Sequence, residues 1–206
     1  MPVFGGAYED GIVAMARSDH EAAARLLAIA ANEGRVEAQY NVGFFYANGV
    51  GVVRDDAKAV EWYRKAAEKG YAPAQSNLAF MISAGRGAAQ SDTEALAWYQ
   101  KAADQGEPSA QATIGMRYMQ GRGVARDTNK AMFWLQLAAF QGHPVAKQAL
   151  RDLYNASAAA NTSGDLPAGM GGMGGMSGMS GMSGMGGMGG MGGMGGMSGR
   201  PGSRSK

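Results

Sequence analysis

Two residue types that dominate many active sites are scarce in this chain. Its 206 residues include no cysteine and only two histidines, His20 and His143. The absence of cysteine excludes disulfides, thiolate nucleophiles and cysteine-ligated metals. The histidines fall far apart, at a helix start and in a turn, so surface or capping roles are expected for them. Because the adjacent carboxylates Asp55 and Asp56 are also interpreted as helix-capping residues, the sequence predicts no enzyme and no cofactor.

Long apolar runs are missing as well, and no segment has the length of a membrane span. The N-terminal residues MPVFGGAYEDG contain no basic segment followed by an apolar run, so no signal peptide is expected. The sequence therefore predicts a cytoplasmic location. A periplasmic location is the alternative if the start of the sequence is misassigned. The net charge is +2, and three basic residues near the C-terminus leave residues 1–165 at −1. This body has no basic footprint for nucleic acid.

What the chain does have is a long internal period. Gly34, Gly70, Gly106 and Gly142 follow one another every 36 residues. In step with them, three full copies of one pattern begin at Ala38, Ala74 and Ala110, with partial copies before and after. A period of this length is typical of stacked repeats, in which each unit buries its apolar face against its neighbours.

Each copy is predicted to form two antiparallel helices. In the second helix, Ala59, Tyr63 and Ala66 belong to an apolar stripe at helical spacing that recurs in the other copies. Asp55, Ser91 and Asp127 stand where a side-chain oxygen caps that helix, and the pair of Ser91 and Glu94 predicts a capping box. Gly70 and its equivalents are predicted to end it in the left-handed conformation.

The first helix of each copy carries small residues where its partner must approach closely. Gly43 and Gly115 occupy this place in two copies, and Ala79 occupies it in the middle copy. The full pattern, with loop residues such as Gly49, Gly51 and Val52, resembles the Sel-one-like repeat (SLR), a relative of the tetratricopeptide repeat. The resemblance implies an all-α fold, a right-handed α-solenoid of helical hairpins that assembles other proteins.

The predicted domain organisation follows from the register of the copies. Residues 1–156 form the solenoid, with a partial repeat to 34, full repeats at about 38–70, 74–106 and 110–142, and a capping half-repeat at 146–156. Residues 157–206 are predicted to be a disordered tail rich in glycine, methionine and serine, because such a composition buries too little apolar surface to order the chain.

The resemblance also implies a binding groove lined by the first helices, since tetratricopeptide relatives bind peptides on that concave face. The asparagines of this face are expected to hydrogen-bond an extended backbone, and its apolar residues to contact side chains. An alternative places Phe44, Phe80 and Met116 in contacts between repeats. The candidate groove residues are Tyr40, Asn41, Phe44, Ser76, Asn77, Phe80, Thr113, Met116 and Arg117.

The tail has a period of its own, with a methionine at every third residue. Three interpretations are open: a flexible spacer expanded by repetition, a site for the soft ions Cu(I) or Ag(I), and a chaperone-like apolar contact with non-native chains that resembles the Gly-Gly-Met tail of chaperonins. The thioethers in question belong to Met170, Met173, Met176, Met179, Met182, Met185, Met188, Met191, Met194 and Met197.

The sequence therefore predicts a non-enzymatic adaptor of bacterial type that binds a protein or peptide partner in the groove. The alternative function is soft-metal handling, or contact with non-native chains, through the tail. No nucleic-acid partner and no membrane span are expected.

Overall fold

The computed structural model of the protein describes residues 6–163, and their side chains as far as Ala158. The described residues are helical and contain no strand, which confirms the predicted all-α class. In chain order the helices are α1 (Ala7–Ala16), α2 (His20–Asn32), α3 (Val36–Asn48), α4 (Asp56–Glu68), α5 (Ala72–Ala84), α6 (Asp92–Asp104), α7 (Pro108–Gln120), α8 (Thr128–Phe140) and α9 (Pro144–Ser163).

The helices form hairpins that stack in sequence order. α1 pairs with α2, α3 with α4, α5 with α6 and α7 with α8, and each hairpin packs on the next through its second helix. The small residues of the predicted stripe are fully buried in this stack, as shown by Ala59 and Ala66 of α4 at 0% exposure. Larger side chains such as Leu27, Ile82 and Leu135 fill the space between them. The hydrophobic core therefore runs through the hairpins as a series of connected clusters.

The second helix of each hairpin begins at a capping side chain. Asp19, Asp55 and Asp127 each accept a hydrogen bond from the backbone N–H three residues later, as predicted for the last two. The hydroxyl of Ser91 does the same for Glu94 at 3.2 Å. The reciprocal half of the predicted capping box is absent, because the Ser91 N–H donates to the Ile82 carbonyl and Glu94 lies toward Arg64.

The same helices end at the repeating glycines. Gly70 has φ +89°, and its N–H donates to the Ala67 carbonyl while that of Tyr71 donates to Ala66. This Schellman arrangement requires a residue in the left-handed region, which explains why glycine stands there in every copy. Proline then occupies the first turn of the following helix in α5 and α7, where its missing N–H removes no hydrogen bond.

Glycine at the centre of the first helix allows close packing within a hairpin. A Cβ atom on Gly43 would lie 2.7 Å from a ring carbon of Tyr63, and one on Gly115 would lie 2.6 Å from Cγ of Leu135. Gly11 of α1 has the same relation to Leu27, at 2.7 Å. The first hairpin is therefore built like the others, although its inter-helix turn is shorter.

Charged side chains connect successive hairpins. Asp56, which the sequence analysis interprets as a capping residue, accepts hydrogen bonds from Arg86 of the next hairpin at 2.7 and 3.1 Å and from Arg54 at 2.9 Å. These bonds from Arg86 and Arg54 hold the pKa of the Asp56 carboxyl well below its usual range. Asp55 therefore accepts the capping hydrogen bond, whereas Asp56, in the first turn of α4, also joins two repeats.

Buried glutamines form a second connection between repeats. Gln39, Gln75 and Gln111 are each 4% exposed, and each side-chain amide donates to the last turn of the preceding helix. The oxygens of Gln75 and Gln111 accept from Gln105 and Gln141, both at 2.8 Å. Between the first two hairpins, Lys69 occupies the position that Gln105 and Gln141 have in the later repeats. Its Nζ donates to the Gly34 carbonyl, and the buried Oε1 of Gln39 has no protein partner.

The last helix is longer than expected. The sequence predicts a capping helix near residues 146–156, whereas α9 begins at Pro144 and continues to Ser163. Ala146 and Ala149 pack on the core formed by α7 and α8. Arg151 is exposed on this terminal helix. Among the residues that the structure describes, no helix combines the length and apolarity needed to cross a membrane.

Candidate partner-binding face

The predicted groove residues lie on α3, α5 and α7, and their surroundings differ. Tyr40 is half-buried in an aromatic cluster, with ring centroids 5.8 Å from Tyr63 and 5.3 Å from Tyr71. Ser76 donates a hydrogen bond to Glu107 of the next hairpin at 2.9 Å. Both side chains therefore take part in packing between helices and present only part of their surface to a ligand.

The three polar residues at the next position form one row. Asn41, Asn77 and Thr113 are separated by 36 residues each, and all three are half-buried. The hydroxyl of Thr113 donates to the Ser109 carbonyl of its own helix at 2.8 Å. Burial raises the pKa of the Tyr63 phenol, and the neighbouring Asn77 side chain opposes this rise only in part. The Asn77 amide thus lies beside the phenol of the preceding hairpin.

The apolar residues of the predicted groove separate into two groups. Phe44 is 39% exposed and Phe80 is 50% exposed, so these two rings are not core residues. Met116 is half-buried and packs on the cluster that contains Leu135. The alternative of contacts between repeats therefore describes Met116 better than the two phenylalanines.

Ile12 belongs to the same apolar row, although the 36-residue alignment does not include it. Gly11 packs on Leu27 as Gly43 packs on Tyr63, which makes Ile12 the counterpart of Phe44. Its exposure of 38% nearly equals that of Phe44. The sequence contains the signal, but the turn between α1 and α2 is shorter and shifts the register by four residues. We call Ile12, Phe44 and Phe80 the odd-helix strip.

Arg117 does not belong to this face. It stands 36 residues after Met81 and, like Met81, is buried, with an exposure of 4%. Its guanidinium donates to Asp92 at 3.1 Å and lies 5.3 Å from the centre of the Tyr99 ring. Burial alone would raise the pKa of Asp92, but hydrogen bonds from Arg117 and Arg122 outweigh it and lower that pKa. Arg117 is thus a contact between repeats and is not available to a ligand.

The described side chains show no arrangement typical of a catalytic or metal centre. Within them, no three His, Asp or Glu residues are grouped closely enough to hold an ion. His20 is exposed at the first residue of α2, and Nδ1 of His143 accepts from the Ala146 N–H at 3.4 Å as a helix cap. The methionines from Met170 to Met197, to which the soft-metal prediction refers, lie outside the described residues.

The family model described as Sel1 repeat matches residues 5–34, 36–71, 72–107 and 108–143, and these four segments coincide with the four helical hairpins. The chain belongs to the Sel1 repeat family. The resemblance drawn from the glycines, the alanine stripe and the loop residues is confirmed.

Two solved structures share both sequence and fold with this Sel1 repeat protein. A Sel1 repeat protein from Oxalobacter formigenes is 37% identical with a TM-score of 0.63, and the match covers 69% of this chain and 55% of that one. A protective antigen of uropathogenic Escherichia coli with an SLR fold is also 37% identical, with a TM-score of 0.62, over 64% of this chain and 28% of that one. This chain therefore corresponds to about half of the first relative and a smaller part of the second. A search of curated proteins gave no match.

Membership of the family defines the general role of the fold. Sel1 repeat proteins are generally protein-interaction scaffolds, and the repeat is generally non-catalytic. The positions that the four copies share in this chain have packing, capping and turn roles. The exposed positions, where the copies differ, are not constrained by these roles.

Proposed function

We propose that this Sel1 repeat protein is an adaptor that binds an extended segment of a partner protein across α1, α3, α5 and α7. The observation that supports it most is the odd-helix strip. Three successive hairpins place Ile12, Phe44 and Phe80 at one helix position, with exposures of 38%, 39% and 50%. Exposed apolar side chains in a regular row are typical of binding surfaces, because their exposure has an energetic cost that a partner removes.

The polar residues beside the strip match an extended backbone. Asn41 and Asn77 lie three residues before Phe44 and Phe80, so each carboxamide is on the same side of its helix as the ring. A side-chain amide can donate to and accept from a peptide group at once. The partner segment we propose carries apolar side chains spaced to meet successive hairpins, and its backbone hydrogen-bonds to the asparagines.

A displayed library of unstructured peptides provides the test, since it supplies ligands even when the natural partner is unidentified. Peptides selected on the wild-type protein should lose at least tenfold in affinity when Phe80 is changed to Ser, or when Asn41, Asn77 and Phe80 are changed together. Phe133→Ser is the matched control, because Phe133 has a similar exposure of 55% and lies on α8, outside the odd-helix strip. Undiminished binding by a triple variant that keeps its helical circular dichroism would contradict the proposal.

The sequence of the tail favours a second candidate function. Ten methionines at a spacing of three residues offer only thioether ligands, which select Cu(I) and Ag(I) over harder ions. We propose that these residues bind such ions. Calorimetric titration of the full chain with Ag(I) should show saturable uptake, and a variant with all ten methionines replaced by leucine should show none. Equal uptake by both proteins would exclude the tail as the site.

A further inference from the structure

The outward side of α8 carries an apolar row that the other hairpins lack. Phe133 is 55% exposed, Leu137 is 37% exposed and Phe140 is 94% exposed. We call these three residues the α8 stripe. The equivalent residues of α4, 72 positions earlier, are Glu61, Lys65 and Glu68, and all three are exposed. The repeat thus leaves these positions in solvent, and in α8 they are occupied by large apolar side chains.

The flank of the stripe extends onto α9. The amide of Gln136 donates to the hydroxyl of Tyr154 at 3.3 Å, which places the half-exposed Tyr154 ring next to the stripe. The rings of Trp134 and Phe133 pack edge to face, with their centroids 5.3 Å apart and their planes at 76°. The α8 stripe therefore lies beside an exposed aromatic ring of α9.

We propose that the α8 stripe is a contact between two copies of this chain, related by a two-fold axis. The spacing of its residues, i, i+4 and i+7, is the seam by which two helices pack against each other. A two-fold contact is self-complementary, so each side chain near the axis meets its own counterpart. Leu137 lies at the centre of the stripe and would therefore lie at the axis.

The charge of α8 favours a second copy over an oppositely charged partner. In a two-fold contact like charges meet, and like charges in contact cost several kcal/mol. α8 contains one ionisable side chain, Lys130, whose charge is balanced by Asp127 at 3.8 Å. By contrast α4 contains six ionisable side chains besides its tyrosine. The nearly neutral face of α8 can therefore contact the same face of a second copy without repulsion between like charges. Helices that lie on membranes have a basic polar side, which α8 lacks.

The area of the surface is sufficient for a weak dimer. Phenylalanine side chains bury about 150–250 Å² each, so Phe133 and Phe140 together leave on the order of 300 Å² of apolar surface uncovered per copy. With Leu137, Tyr154 and the polar rim of both copies, the contact lies at the low end of interface sizes, at or below about 1,200 Å² in total. A dissociation constant on the order of 10 µM is expected for such a contact.

Sedimentation equilibrium of the full chain, from 1 to 200 µM, tests the proposal. The wild-type mass is expected to rise from 21.3 kDa toward twice that value. The variant Phe133→Glu, Leu137→Lys, Phe140→Glu carries the outward residues of α4 and should weaken dimerisation at least tenfold. The double variant Phe44→Glu, Phe80→Glu is the matched control on the odd-helix strip and should dimerise normally.

Two further variants separate loss of contact from loss of fold. Phe140→Glu changes a side chain that is 94% exposed, so it should weaken the dimer while helical circular dichroism is unchanged. Because the chain has no cysteine, Leu137→Cys introduces a single thiol that should oxidise to a covalent dimer. Ala97→Cys, 40 residues earlier on the exposed side of α6, should not.

The proposal is overturned by a wild-type chain that stays monomeric at 200 µM, which would leave the stripe to a different protein. It is equally overturned if the Glu-Lys-Glu variant dimerises within twofold of wild type, or if Leu137→Cys gives no more covalent dimer than Ala97→Cys.

Discussion

Helices α4 and α8 have the same place in their hairpins, and they agree on one side and differ on the other. On the inward side both carry alanine at 0% exposure, Ala59 and Ala66 in α4 and Ala131 and Ala138 in α8. On the outward side α4 is charged and α8 is apolar. The repeat pattern therefore specifies the packed positions, where neighbouring helices limit side-chain volume, and leaves the exposed positions free to vary.

The largest effect is expected from breaking the inward side of α8. Leu135 is fully buried, and its change to Ala should lower the free energy of unfolding by about 3 kcal/mol, because it removes apolar contacts and leaves a cavity. Leu137→Ala, two residues away on the outward side, should change it by less than about 0.5 kcal/mol. Urea unfolding at 1 µM measures both, and similar losses for the two variants would contradict the distinction between the sides of α8.

A smaller effect is expected at the charged connection between hairpins. Asp56→Asn should lower the free energy of unfolding by about 1–2 kcal/mol at pH 7, because it removes charge-assisted hydrogen bonds from Arg86 and Arg54. The folded pKa of Asp56 is depressed. Its contribution is therefore complete above the unfolded pKa of about 3.9 and is lost as the pH falls through the folded value.

The pH dependence provides the check on this interpretation. Urea unfolding of wild type and Asp56→Asn should differ most near neutral pH, and the difference should narrow below about pH 4. Glu61→Gln, an exposed carboxylate of the same helix, is the control and should show little difference at any pH. A difference for Asp56→Asn that stays constant down to pH 2 would show that its carboxylate is not the source.

The smallest effect is expected from a change that makes the glutamine contact between the first two hairpins resemble the contacts at Gln75 and Gln111. Lys69→Gln should raise the free energy of unfolding by about 1 kcal/mol, because a glutamine there can donate to the buried Oε1 of Gln39. Gln141 shows that one amide can also keep the bond to the glycine carbonyl, at 3.0 Å. Thermal unfolding measures the gain, with Lys147→Gln as the control for lost charge, and a decrease for Lys69→Gln would contradict the proposed pairing.

The candidate binding face could be predicted only in part. The 36-residue register alone identifies Phe44 and Phe80 as residues of the candidate binding face, and both are exposed. The same register selects Met116, which packs partly on the core, and Arg117, which is buried. The position of Arg117 in the repeat is a core position, and a buried arginine is acceptable there only because Asp92 lies within 3.1 Å. Such a partner comes from the preceding hairpin and cannot be identified from helical spacing.

The helices of this protein follow from local sequence. Glycines, capping residues and alanine stripes act within one or two turns of a helix, so their spacing alone predicts the hairpins and the Sel1 repeat. The contacts between hairpins were found only in the folded structure. It joined Asp56 to Arg86, left Gln39 without a partner, placed Ile12 in line with Phe44 and kept the α8 stripe in solvent. These contacts depend on how separate hairpins stack, and local sequence does not specify which side chains of two hairpins meet.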